Sequence, residues 1–85
     1  MKNDDELNQV LRSANTEISS DKKYKHYKDG VYKVICVALL ESTLEPCVVY
    51  QAQYGEKLVF IRSVKEWNEI VEFNGESSPR FSIVE

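Results

Sequence analysis

The sequence predicts a small, mostly β domain. The expected shape is a barrel or roll of SH3-like size with five to six strands, a short helix near 64–70 and an N-terminal helix near 4–14. Three observations predict it. Asp29-Gly30 sits between two strand-like runs, Tyr24 to Lys28 and Val31 to Leu40, and Asp-Gly is a strong hairpin signal because a type I′ turn needs positive φ at both central residues. The run from Val31 to Leu40 is apolar at both parities, as expected of a central strand covered on both faces. Ser63-Val64-Lys65-Glu66 has the capping-box spacing that opens a helix. An open α+β sheet is the alternative architecture.

Leu7, Val10, Leu11 and Ala14 fall at i, i+3, i+4 and i+7, one stripe of a helix over 4–14. Asn3 or Asp4 is its candidate cap, and Asp4, Asp5 and Glu6 suit the positive end of the helix dipole. So short a helix is marginal alone. It must dock, contact a partner through that stripe, or fray. Residues 15–23 read as a linker, which divides the chain into 1–23, helix and linker, and 24–85, the β-barrel domain.

In the first hairpin arm Tyr24, His26 and Lys28 share one face. Val31, Ile35, Val37 and Leu39 take one parity of the second arm, and Tyr32, Val34, Cys36 and Ala38 the other. Glu41 to Pro46 is a loop. Cys47 to Gln53 is a third strand with Val48, Tyr50 and Ala52 on one face. Tyr54-Gly55-Glu56 is a turn. Lys57 to Arg62 is a fourth strand, apolar on both faces. After the cap at Ser63, the stripe Val64, Trp67, Ile70 and Val71 is expected to plug one end of the barrel. Asn74-Gly75 is a second turn signal. Pro79 confines the last strand, 80–84, to an edge or bulge, with Phe81 and Ile83 inward.

The chain has 85 residues, enough for one domain that buries roughly 60–65% of its unfolded surface. It is 42% hydrophobic and 29% charged, which excludes a disordered chain. The net charge of −3 supplies no global basic field for nucleic acid or an anionic membrane. No run reaches the ~20 apolar residues of a membrane span, and no signal-peptide pattern opens the chain, so a cytoplasmic protein with no membrane partner is expected. Cys36 and Cys47 fit no metal spacing and read as reduced, buried apolar side chains. A disulfide between neighbouring strands is the minor alternative. No metal or cofactor signature is found.

Tyr24-Lys25-His26-Tyr27-Lys28 with Gly30 and Tyr32-x-Val34, Ala38-Leu39, Thr43-Leu44-Glu45-Pro46, Val48-Val49-Tyr50, Tyr54-Gly55, Arg62 and Pro79-Arg80-Phe81 occur in this order. In that order and spacing, residues 24–84 resemble the bacterial family known as domain of unknown function 1653. The resemblance implies a compact SH3-like barrel and a small bacterial or phage protein, and no established activity. The chain reads Leu40-Glu41-Ser42-Thr43 where the family usually has His-Ser-Glu-Thr, and Phe60-Ile61-Arg62-Ser63 where it usually has Trp-Val-Arg-Pro.

For chemistry, His26 is the only histidine, and no nucleophile is paired with it by any readable motif. Catalytic residues are therefore not assigned. Five of the nine aromatics (five Tyr, three Phe, one Trp) are tyrosines, interleaved with basic residues. Rings beside cations form stacking platforms for bases or grooves for peptides. A binding face built from Tyr24, His26, Tyr27, Lys28, Tyr32, Tyr50, Tyr54, Arg62 and Arg80 is expected to take a nucleotide, a single-stranded nucleic acid or a peptide. The alternative is an adaptor, monomer or small homo-oligomer, that meets a protein partner through Leu7, Val10, Leu11 and Ala14.

Overall fold

The computed structural model describes residues 4–84. The candidate cap Asn3 lies outside them. The element order is α1 (Asp4–Glu17), β1 (Lys23–His26), β2 (Val31–Leu40), β3 (Glu45–Ala52), β4 (Val59–Ser63), α2 (Val64–Trp67), β5 (Ile70–Phe73), β6 (Glu76–Pro79) and β7 (Phe81–Ile83). Five strands form one antiparallel sheet in the order β4-β3-β2-β1-β7, and β5 and β6 form a separate hairpin. The mostly β reading holds, with seven strands. The edges β4 and β7 do not pair, so the sheet is open rather than closed into a barrel.

Side chains fill the gap that closure would have filled. Trp67 of α2 stacks on Phe81 of β7 with centroids 3.7 Å apart and planes 6° from parallel. Its ring also meets Tyr50 of β3 and Tyr24 of β1 edge-on, at 5.0 and 5.3 Å. The Arg80 backbone N–H donates to the Glu69 carbonyl at 2.9 Å, which fixes the start of β7 to the exit of α2.

Both turn signals do what their residue types allow. Asp29 and Gly30 have φ of 82° and 93°, and Asn74 and Gly75 have 55° and 80°. Asn74-Gly75 makes a two-residue hairpin with Phe73 opposite Glu76. The first turn is wider. Asp29 N–H bonds the His26 carbonyl at 2.8 Å, and His26 N–H bonds Gly30 at 2.9 Å. The chain has left β1 by residue 27, so Lys28 lies in the turn and not on the strand face of Tyr24 and His26.

Central β2 does not alternate strictly because a bulge interrupts its pairing with β3 between Val34 and Cys36. One extra residue, Ile35, puts Val34 and Val37 on the same, inner face and Cys36 and Ala38 on the outer one. Cys36 is therefore exposed, contrary to the expectation of two buried thiols, while Cys47 is buried; both are free.

The N-terminal helix runs to Glu17, three residues past the expected end, and lies against β2 and β3. Ala14 and Ile18 enter the core formed by Val34, Val48, Tyr50 and Trp67. Ile18, expected in a linker, is 1% exposed. Tyr24 secures the helix exit, its hydroxyl accepting the Ser19 N–H at 3.1 Å. Ser63 caps α2 as its spacing predicts, Oγ accepting the Glu66 N–H at 3.1 Å. That helix ends at Trp67, however, so Ile70 belongs to β5 and is 66% exposed rather than plugging the core. Ile83 is likewise half exposed, because only Phe81 of β7 reaches under Trp67.

Ile18→Ala is expected to lower the unfolding free energy by about 2–4 kcal/mol, since it empties a fully buried site. Arg12→Ala, on the exposed side of the same helix, should change it by no more than about 0.5 kcal/mol. Urea titrations of the two variants check this, and equal effects would show that the helix does not dock.

Candidate functional site

Antiparallel register decides which of the aromatic and basic residues meet. Tyr24 pairs with Tyr32, Tyr32 with Ala52, Tyr50 with Phe60, and Val48 with Arg62. All of these point to the inner face of the sheet, because Val48, Tyr50 and Ala52 are core residues. His26 faces the same way, opposite Phe81 on β7. At this end of the inner face the covering helices stop short, which leaves a recess of about 170 Å³ lined by His26, Tyr32, Tyr50, Phe60, Arg62 and Phe81.

The walls are rings. Tyr32 meets His26, Tyr50, Phe60 and Phe81 edge-on, with centroids between 5.4 and 6.4 Å. Its hydroxyl is hydrogen-bonded to that of Tyr54 at the rim. That bond, with burial and the neighbouring tyrosines, pushes the Tyr32 pKa up to about 12, so it stays a neutral phenol. His26 receives the Lys28 backbone N–H on Nδ1 at 3.1 Å. Its neutral ring must then carry the proton on Nε2, as a donor. Burial, followed by the charges of Arg62, Arg80 and Lys28, lowers its pKa below 6.5. Arg62 donates from Nη1 to Glu66 at 3.3 Å, and its buried Nε has no hydrogen-bond partner among the described residues. A buried, unpaired donor costs about 1–3 kcal/mol. The recess thus combines flat apolar walls, a neutral histidine and a guanidinium with spare donors.

Four of the nine residues expected in a binding face line this recess: His26, Tyr32, Tyr50 and Arg62. Tyr54 stands at the rim. Tyr27 lies outside it, its ring 4.6 Å from His26, with Lys28 and Arg80 over its face at 5.6 and 6.0 Å. Arg80 is engaged in the fold, donating from Nε to the Glu66 carbonyl at 3.0 Å. Tyr24 is a core residue, 7% exposed. Phe60 and Phe81 were not expected in the site. Only the strand register, which sets them opposite Tyr50 and His26, reveals them. On the helix, Ala14 and Leu11 pack into the chain's own core, while Leu7 and Val10 are half-buried.

A second, larger groove of about 340 Å³ lies on the other side of Arg62, lined by Leu40, Glu45, Cys47, Ile61, Ser63 and Glu66. It has no ring, and one of its two carboxylates, Glu66, is already paired with Arg62. Burial, then Glu45 and Glu66, raise the Cys47 pKa, which opposes thiolate formation. Neither cysteine lines the recess with His26. Among the described residues no three His, Cys, Asp or Glu side chains cluster as metal ligands, and no helix is long and apolar enough to cross a membrane.

A family model described as "Protein of unknown function (DUF1653)" matches residues 22–83. The chain belongs to the DUF1653 family. Its fold is similar to the crystal structure of a DUF1653 protein from Bordetella bronchiseptica, with a TM-score of 0.71 and 30% sequence identity over 80% of this chain and 90% of that one. Among curated proteins none matches the chain. Two positions expected from the sequence to depart from the family's pattern fall on the two depressions. Leu40 lines the larger groove, and Phe60 keeps an aromatic ring in the recess.

His26 makes the fold pH-sensitive in a defined direction. Its folded pKa lies below the unfolded value of 6.5, so the unfolded chain takes up the proton first as pH falls. The contribution of His26 to stability is therefore full above about pH 7, declines below 6.5, and levels off once the folded histidine is also protonated. Thermal unfolding of wild type and His26→Gln across that range should show a decline in the wild type that is shallower in the variant. Parallel curves would exclude His26 as its source.

Proposed function

We propose that this DUF1653 chain is a non-enzymatic binding module of the bacterial cytoplasm. Its recess would take one planar ring of a ligand that carries an anionic group. The observation that carries this reading is a ring-walled recess with Arg62 and His26 in its lining.

Size supports a single ring. An apolar cavity of about 150 Å³ accepts benzene, and this recess is about 170 Å³. A whole nucleotide would not fit. A base or an aromatic side chain would, with its phosphate or carboxylate left outside near Arg62 and Lys28. Both cations act on His26 electrostatically, so both lie on this side of the domain. Edge-on and offset ring contacts contribute about 0.5–1.5 kcal/mol each beyond area burial. A charge-assisted hydrogen bond from Arg62 adds about 1.5–3 kcal/mol. The expected ligands are accordingly a nucleotide, an unpaired base in a nucleic-acid strand, or a peptide with an aromatic residue beside an acidic one.

The reading is tested by titrating nucleoside monophosphates, short oligonucleotides and such peptides into ¹⁵N-labelled protein. Shifts at His26, Tyr32, Phe60 and Phe81 are expected for one of these classes. Arg62→Ala should weaken that binding by at least about tenfold, the loss of one charge-assisted bond. Shifts confined to residues outside the recess, or binding indifferent to Arg62→Ala, would refute it.

A further inference from the structure

The middle of the sheet's outer face is apolar, and much of it is open to solvent, although Cys47 and Ser63 towards one end of it are buried. The bulge and the register put Cys36, Ala38 and Leu40 of β2, Cys47 and Val49 of β3, and Val59, Ile61 and Ser63 of β4 on this face. Cys36 is exposed, Leu40 is 41% exposed, and Val59 and Ile61 are each 56% exposed. α1 and Trp67 pack on the opposite side, against Val34, Val48 and Tyr50. An antiparallel sheet with one wet face normally alternates apolar and polar residues. Here the alternation fails in the middle of the face and returns at its ends.

Those ends carry opposite charge. Glu45 pairs with Leu40 at one end, and Glu41 follows in the same turn. Lys33 pairs with Lys23 and Gln51 at the other end, with Lys25 nearby. Exposed Asp21, 3.9 Å from Lys33, and Asp29, 3.8 Å from Lys25, offset part of this charge and leave the end with one lysine in excess. Glu45 and Gln51 lie six positions apart on β3, about 20 Å of strand. An apolar strip with acid at one end and lysine at the other is complementary to itself when inverted.

We infer that this face joins two copies of the chain in a twofold dimer. A twofold axis lying in the face and perpendicular to the strands lays β2 of one copy antiparallel on β2 of the other. Glu45 of each copy then meets Lys33 of its partner, twice per dimer. Cys36 lies midway between Lys33 and Leu40, so the two Cys36 thiols come together near the axis. Aligned packing of two sheets, about 10 Å apart, is the ordinary way for such faces to be buried. Closed twofold contacts are the commonest in homo-oligomers. The recess opens on the inner side of the sheet and remains free in this arrangement.

Sedimentation equilibrium on the full chain tests it. Wild type is expected to be a concentration-dependent dimer. Ile61→Lys, which sets a charge in the apolar strip, should weaken self-association at least about tenfold, and so should Lys33→Glu and Glu45→Lys, each of which opposes like charges. Mixing Lys33→Glu with Glu45→Lys should restore dimers, because the heterodimer regains both opposite-charge pairs. Misfolding of either variant could not produce that recovery. A short bis-maleimide should link wild-type dimers through Cys36 and fail with Cys36→Ser, since Cys47 is buried. A monomer at every concentration overturns the inference. So does a dimer indifferent to all three charge variants, which would point to the open edge of β4, or a mixture no tighter than its separate components.

Discussion

The stack of Trp67 on Phe81 holds this architecture together. An open five-stranded sheet has one inner face to bury, and two short helices must cover it. The indole does most at the sheet's open side. It spans from α2 to β7 and meets Tyr50 and Tyr24 with its edges, so one side chain links elements whose backbones are not hydrogen-bonded to each other. Remove that ring and Phe81 loses its stacked partner, leaving β7 its pairing with β1, the Arg80 N–H bond to Glu69 and edge-on contacts with rings of the sheet. Closure by a packed aromatic, rather than by a further ladder of hydrogen bonds, leaves β4 without an outer partner and makes the domain a half-layer instead of a barrel.

The candidate site follows from the same cluster. Phe81 faces both ways, stacking on Trp67 in the core and meeting His26 in the recess at 5.0 Å. Tyr50 divides its ring contacts in the same way, between Trp67 and Phe60. The recess is therefore the uncovered end of the core rather than a separate construction. This explains why rings line it and why its one histidine is held neutral. It also explains why Arg62 keeps a buried donor unpaired among the described residues. Its strand position is fixed by the pairing of Val48 with Arg62, and the polar partners within reach lie to one side, at Glu66.

How much of this could be read from the chain depends on the range of the interactions. The turns at Asp29-Gly30 and Asn74-Gly75 and the cap at Ser63 are set within four residues, and each was legible. The helix stripe was legible too, but its end was not, because Ile18 is held by tertiary burial and not by helix propensity. The bulge at Ile35 has no local signature, and it decided which of Cys36 and Val37 is exposed. Leu58, Val59, Phe60 and Ile61 read as buried on both faces. They are not, since a chain this short supplies a second layer for only one side of its sheet. In the site, His26, Tyr32, Tyr50 and Arg62 were identified from residue type. Phe60 and Phe81 needed the pairing register, and Tyr24 needed the observation that its hydroxyl is occupied by Ser19.

β4 passes into α2 without a loop: Ser63 is the last residue of the strand and the cap of the helix. Three residues back, Phe60 is a wall of the recess, and four residues on, Trp67 is the centre of the core. The wall thus has no slack segment to freeze on association. Ordering entropy is usually a large part of what a small contact must overcome. Here folding has already met it, so even a ligand presenting a single ring can retain most of its contact energy as affinity.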